Sequence, residues 1–117
     1  MLLDEMVELA LEALTAPEGS ARALPVRLIH AAPAAAPLQI VVAMTLAAAA
    51  LEDTMASPRD QAAAVECWRM AALLAADIHA MACLGLPVRR AEDLAAYWQA
   101  HDRYFLAQAA AAIRPAT

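Results

Sequence analysis

The chain has 117 residues and a net charge of −5, with eight arginines and no lysine. That length fits one domain with a real core and leaves too little chain for two. An acidic chain without lysine is a poor phosphate neutraliser, which argues against nucleic acid as a partner.

Alanine supplies 35 residues, whereas Leu, Ile, Val and Phe together number 27. Alanine has the best helix propensity and lets helix backbones approach closely. It also buries little apolar area, so a small domain built from it gains from extra contact surface such as a dimer interface. β-Branched and aromatic residues never alternate over a useful length, so the expected class is all-α. Arginine without lysine, in an alanine-rich chain, fits a GC-rich bacterial coding bias.

The first predicted helix covers residues 2–15. Leu3, Val7, Ala10, Leu11 and Leu14 form an apolar stripe, while Asp4, Glu5, Glu8 and Glu12 gather on the other face. Pro17 and Gly19 end it. Residues 16–36, "APEGSARALPVRLIHAAPAAA", are the most irregular part of the chain. A short helix over 25–32 opens at Pro25, and Pro33 and Pro37 bracket an extended piece. Arg22, Arg27 and His30 lie here, which makes this crossover the candidate mobile or partner-contacting segment.

A second long helix is predicted over 37–55. Val41, Met44, Ala48, Leu51 and Met55 follow a seam spacing, and Ile40, Val42 and Leu46 make the other sides apolar too; such a helix is buried centrally. The uncharged run 31–51 has about the length of a membrane span. Ten of its residues are alanine and Pro33 and Pro37 interrupt it, so a single-span protein is only a minor alternative. The N-terminal "MLLDEMVELA" is acidic and amphipathic, unlike a secretory signal. The expected location is the cytoplasm.

The third long helix is predicted over 58–84. Ser57 caps it with Pro58 in the first turn and Asp60 at the third position, and Gly85 followed by Pro87 stops it. The fourth is predicted over 90–113, with Leu94, Trp98, His101, Phe105, Gln108 and Ala112 as its seam. The short link makes these two helices an antiparallel hairpin. Asp77 then lies level with Tyr97, Arg69 with Phe105, and Glu66 with Gln108. The whole reads as a compact four-helix bundle-like domain with a proline-rich crossover between its first two long helices.

Candidate chemistry is sparse. His79 and Cys83 share a helix face at i and i+4, but no CxxC, HExxH or Glu-x-x-His pair supplies further ligands, so neither a metal nor another cofactor is expected. A buried, hydrogen-bonded histidine beside an inert thiol is the plain reading. Cys67 and Cys83 stand roughly 24 Å apart on one helix, too far to bridge, and are read as reduced, buried thiols. Phosphotransfer through His79 is disfavoured: such a histidine is usually followed by a lysine and small residues, whereas Ala80, Met81, Ala82 and Cys83 follow here and the chain has no lysine. No nucleophile elbow and no glycine-rich phosphate loop occurs, so the chain is read as non-enzymatic.

Glu66, Arg69 and Asp77 form a narrow charged strip, solvated or meeting the same strip of a second copy across a two-fold axis. Arg22 and Arg27 are the other candidate interaction residues. The expected function is a non-catalytic, self-associating protein-interaction module, an accessory factor or inhibitor acting as a homodimer on an unidentified protein partner. The alternative is a small-molecule sensor or carrier whose apolar pocket is lined by methionines and aromatics, with Tyr97, His101, Tyr104 and Gln108 orienting the ligand.

Overall fold

Two alanine-rich helices set the centre of the molecule. The computed structural model describes residues 1–17, 20–54 and 57–113; Gly19 and Met55, which the sequence places at a helix end and in a seam, lie outside the described residues. Six α-helices and no strand occur among the described residues. They are α1 (Leu3–Thr15), α2 (Leu24–Ala31), α3 (Pro37–Thr54), α4 (Pro58–Cys83), α5 (Ala91–Ala100) and α6 (Tyr104–Ile113), with a 3-10 turn at Ala21–Ala23. The all-helical, compact expectation holds; the count of four helices does not.

α3 packs along α4 on one side and α1 on the other. Its core-facing positions are Ile40, Ala43, Met44, Ala47, Ala48 and Leu51, all with no exposed surface. α4 answers with Ala64, Cys67, Met70, Ala71 and Leu74. The small side chains bring the backbones so close that the Cys67 thiol donates to the Met44 carbonyl across the interface at 3.3 Å. By length and composition alone α3 would suffice to cross a membrane; here its buried side serves the core between α1 and α4.

The ends of α4 follow local chemistry. The Ser57 hydroxyl accepts the Asp60 amide at 3.1 Å and donates to the Asp60 carboxylate at 2.8 Å, a reciprocal cap. At the far end Gly85 adopts φ +72°. Its amide donates to the Ala82 carbonyl at 3.1 Å and the Leu86 amide to the Met81 carbonyl at 3.0 Å, the paired bonds of a Schellman motif. Arg59, just inside α4, donates to the carbonyls of Ala16 and Pro17 and so satisfies the C-terminal end of α1.

The proline-rich crossover is core rather than a mobile segment. Ala21, Leu24, Pro25, Leu28, Ile29 and Ala32 are buried. The carbonyls of Ala35 and Pro33 accept the Ala91 and Glu92 amides at 2.7 and 3.0 Å, filling two of the donors that the start of α5 leaves open. Prolines at the openings of α2 and α3 cost no helical hydrogen bond there.

The helix predicted over 90–113 is two helices. It stops at His101 (φ −129°, ψ −43°), and Asp102 starts a new one by accepting the Tyr104 amide at 3.0 Å. An aspartate is a poor residue inside a helix and a good one at its start, and here the cap wins. The level pairing of Arg69 with Phe105 and of Glu66 with Gln108 is lost, because α6 turns away to pack on the 3-10 turn and α2. The aromatic seam survives the break: Trp98 and Phe105 are buried and stack at 4.8 Å. Phe105→Ala is expected to cost about 3–5 kcal/mol, measured by urea unfolding; a near-zero change would show that α6 is not seated on Trp98.

Candidate interaction face and carboxyl cluster

The outward side of α4 is a regular seam that no helix covers among the described residues. Ala62, Val65, Arg69, Ala72, Ala76, His79 and Cys83 are all exposed and recur at alternating steps of three and four. Only Arg69 among them carries a fixed charge. Trp68 and Val65 of α4 are exposed at 38% and 63%, and Leu46 and Leu38 of α3 at 47% and 62%. These four are large apolar side chains left in contact with solvent on the two central helices. Trp68 is fixed on it: its indole N–H donates to the Glu52 carboxylate at 2.7 Å.

The predicted charged strip divides. Arg69 is exposed and Glu66 half-buried, and they do not pair; the one ion pair among the described residues is Arg90–Glu92, exposed and worth little. Asp77 leaves the strip for the interior side of α4. Its carboxylate accepts the Trp98 indole N–H at 3.0 Å. Partial burial raises the Asp77 carboxyl to about 6; the hydrogen bond and negative charge of Asp102 add to the rise, and the Trp98 N–H opposes it. The neighbouring Tyr97 phenol is pushed upward by desolvation and by the charges of Asp77 and Asp102. Arg22 and Arg27 are exposed, on the 3-10 turn and α2, away from that cluster's hydrogen bonds.

Of the four residues expected to line a pocket, the fold brings two together. Tyr97 and His101 stack at 5.3 Å and form one wall of an open, mainly apolar cleft of about 220 Å³ with Met81, Leu86, Pro87 and Ala96. Asp93 also borders it, but its carboxylate already accepts the Arg89 and Arg90 amides at 3.0 Å each. Tyr104 and Gln108 do not line this cleft: they belong to α6, beyond the break, where Tyr104 packs edge-on against Phe105 at 5.3 Å.

The two cysteines behave differently from the expectation of buried thiols. Cys67 is buried and Cys83 exposed, both free. Cys83 lies 3.5 Å from the His79 Nε2, and His79 is exposed as well, which corrects the reading of a buried histidine. No group of three or more metal-ligating side chains occurs among the described residues.

The carboxyl cluster is what sequence reasoning missed. The available signal was Trp98: a buried indole N–H needs an acceptor, and Asp77 is level with it. Comparison with known protein families, curated proteins and solved structures finds no match for this chain.

Burial pushes the Cys67 thiol up to about 12, so its reactive thiolate is scarce at neutral pH. A maleimide reagent is expected to label one thiol of the folded chain, Cys83, and the second only in denaturant. Rapid double labelling of the native protein would contradict the packing of α3 on α4.

Proposed function

We propose that this chain is a non-catalytic interaction module that works as a homodimer, with the outer face of α3 and α4 as the surface that meets the second copy. The observation that carries this is the uninterrupted exposed seam of α4, which includes Val65, together with the exposed Trp68 of α4 and Leu38 and Leu46 of α3. The occupant follows from size and shape. α3 has 18 residues, so the two-helix face measures roughly 27 Å by 20 Å in plan. With side-chain relief this approaches the roughly 800 Å² that each partner gives to a standard interface.

The face is also self-complementary. Its large apolar side chains, Val65 and Trp68, occupy the first half of α4, and exposed Ala72, Ala75 and Ala76 occupy the second, followed by His79 and Cys83. A two-fold axis near Ala72 sets Trp68 opposite the partner's Ala76 and Val65 opposite the partner's His79. Arg69 lies within the contact, opposite the partner's Ala75, and Asp77 plays no part in it because its carboxylate is engaged within the chain. An accessory factor or inhibitor acting on another protein suits such a dimer.

A second reading rests on the cleft. Met81, Leu86, Tyr97 and His101 offer an apolar floor and two polar edges, enough for a small ligand. Native mass spectrometry of protein purified from cells separates the readings: a clean apo-dimer supports the module, and a retained mass of a few hundred daltons supports the sensor or carrier. Ala76→Glu, at an exposed position, is expected to convert the dimer to a monomer in sedimentation velocity without loss of helicity. A wild-type chain that sediments as a monomer throughout would remove the proposal.

A further inference from the structure

We propose that the cleft beside α5 binds a small organic ammonium ion, its alkyl groups on the apolar floor and its charge against the Tyr97–His101 rings and the Asp93 carboxylate. This rests on the reading of the cleft as a ligand site and adds the class of ligand.

Size bounds the occupant. The cleft measures about 220 Å³, less than the roughly 300–1,000 Å³ of a drug-sized site and more than the roughly 150 Å³ that admits benzene. The ligand is therefore compact. Met81, Leu86, Pro87, Ala96 and Ala100 give the cleft a floor of hydrocarbon and one thioether. Methyl and methylene groups displace water from such a surface favourably.

The edges decide the charge. Among the described residues that line the cleft, Asp93 alone carries a fixed charge, and that charge is negative. The two amides it accepts, from Arg89 and Arg90, both go to Oδ2, which leaves Oδ1 for a cation. Tyr97 and His101 present two rings 5.3 Å apart and 28° from parallel. The face of an aromatic ring is the negative part of its quadrupole and attracts an ammonium within about 6 Å. Tyr97 also lies in the field of further carboxylates: desolvation, with the charges of Asp77 and Asp102, pushes its phenol upward.

No arginine side chain lines the cleft among the described residues. Arg90 pairs with Glu92 at 3.4 Å, and Arg89 borders an adjoining depression that shares Leu86 and Pro87. An anion would therefore meet Asp93 with no fixed positive charge to hold it. A neutral hydrocarbon would leave the carboxylate unused. An alkylammonium ion suits floor, rings and carboxylate together.

Choline and its neutral isostere dimethylbutanol, in which carbon replaces the quaternary nitrogen, test this. Each is titrated into the full chain at about pH 8, where imidazole is neutral, and followed by amide NMR. Choline should bind about tenfold more tightly than the alcohol, with shifts centred on Leu86, Ala96, Tyr97, Ala100 and His101. Its methyl protons should move upfield as they enter the ring current of Tyr97, a readout that needs no variant. In Tyr97→Leu, which keeps apolar surface and removes the ring, choline should fall to the affinity of the alcohol. Equal binding of the two probes to the wild type overturns the ammonium assignment and leaves the cleft a site for neutral ligands. Shifts absent from the cleft with both probes, or spread over the acidic face of α1, overturn the inference as well. Whether the cleft holds any ligand at all is read separately, from the mass retained in native mass spectrometry.

Discussion

Alanine at the facing positions of α3 and α4 brings two backbones together closely enough for the Cys67 thiol to reach the Met44 carbonyl, and most of the remaining architecture follows from that contact. Close approach gives many dispersion contacts along the length of the pair. It gives little apolar area per residue, because a methyl side chain has little to bury. α1 and the crossover therefore close around α3, and the crossover's carbonyls fasten the start of α5. The outer side of the pair has no such cover, and its exposed Leu, Val and Trp side chains are the remainder of the same economy.

The other end of the molecule is held by aromatic and polar contacts. Trp98 and Phe105 are the bulkiest buried side chains, and both sit where α5 gives way to α6. A continuous helix could not have turned α6 onto the 3-10 turn and α2, so the break at His101–Arg103 is what completes the core. At the same corner the Trp98 indole N–H is satisfied by the Asp77 carboxylate of α4.

The local parts of this fold were legible in the sequence. Ser57, Pro58 and Asp60 mark the start of α4, and Gly85 its end, because caps depend on residues a few positions apart. The break was not, since Leu94, Trp98 and Phe105 keep helical spacing straight through it and periodicity cannot see a change of axis. Asp102, two residues before Tyr104, was the overlooked start signal. The crossover's helix openings at Pro25 and Pro37 were legible, but its burial was not, since Leu24, Leu28 and Ile29 find their cover only in tertiary packing. Asp77 shares a helical arc with Glu66 and Arg69, and only the position of α5 decides that it faces inward. Half of the expected pocket went the same way, as Tyr104 and Gln108 left the face of Tyr97 and His101 with α6.

The central claim is that the α3–α4 pair is completed by a second copy of the chain on its outer face. Thermal unfolding followed over a wide range of protein concentration tests it most directly, because a dimer that unfolds with dissociation gains stability by mass action. The account predicts a melting temperature that rises steadily with concentration. A melting temperature independent of concentration would mean that the exposed face adds nothing to the fold, and would contradict it.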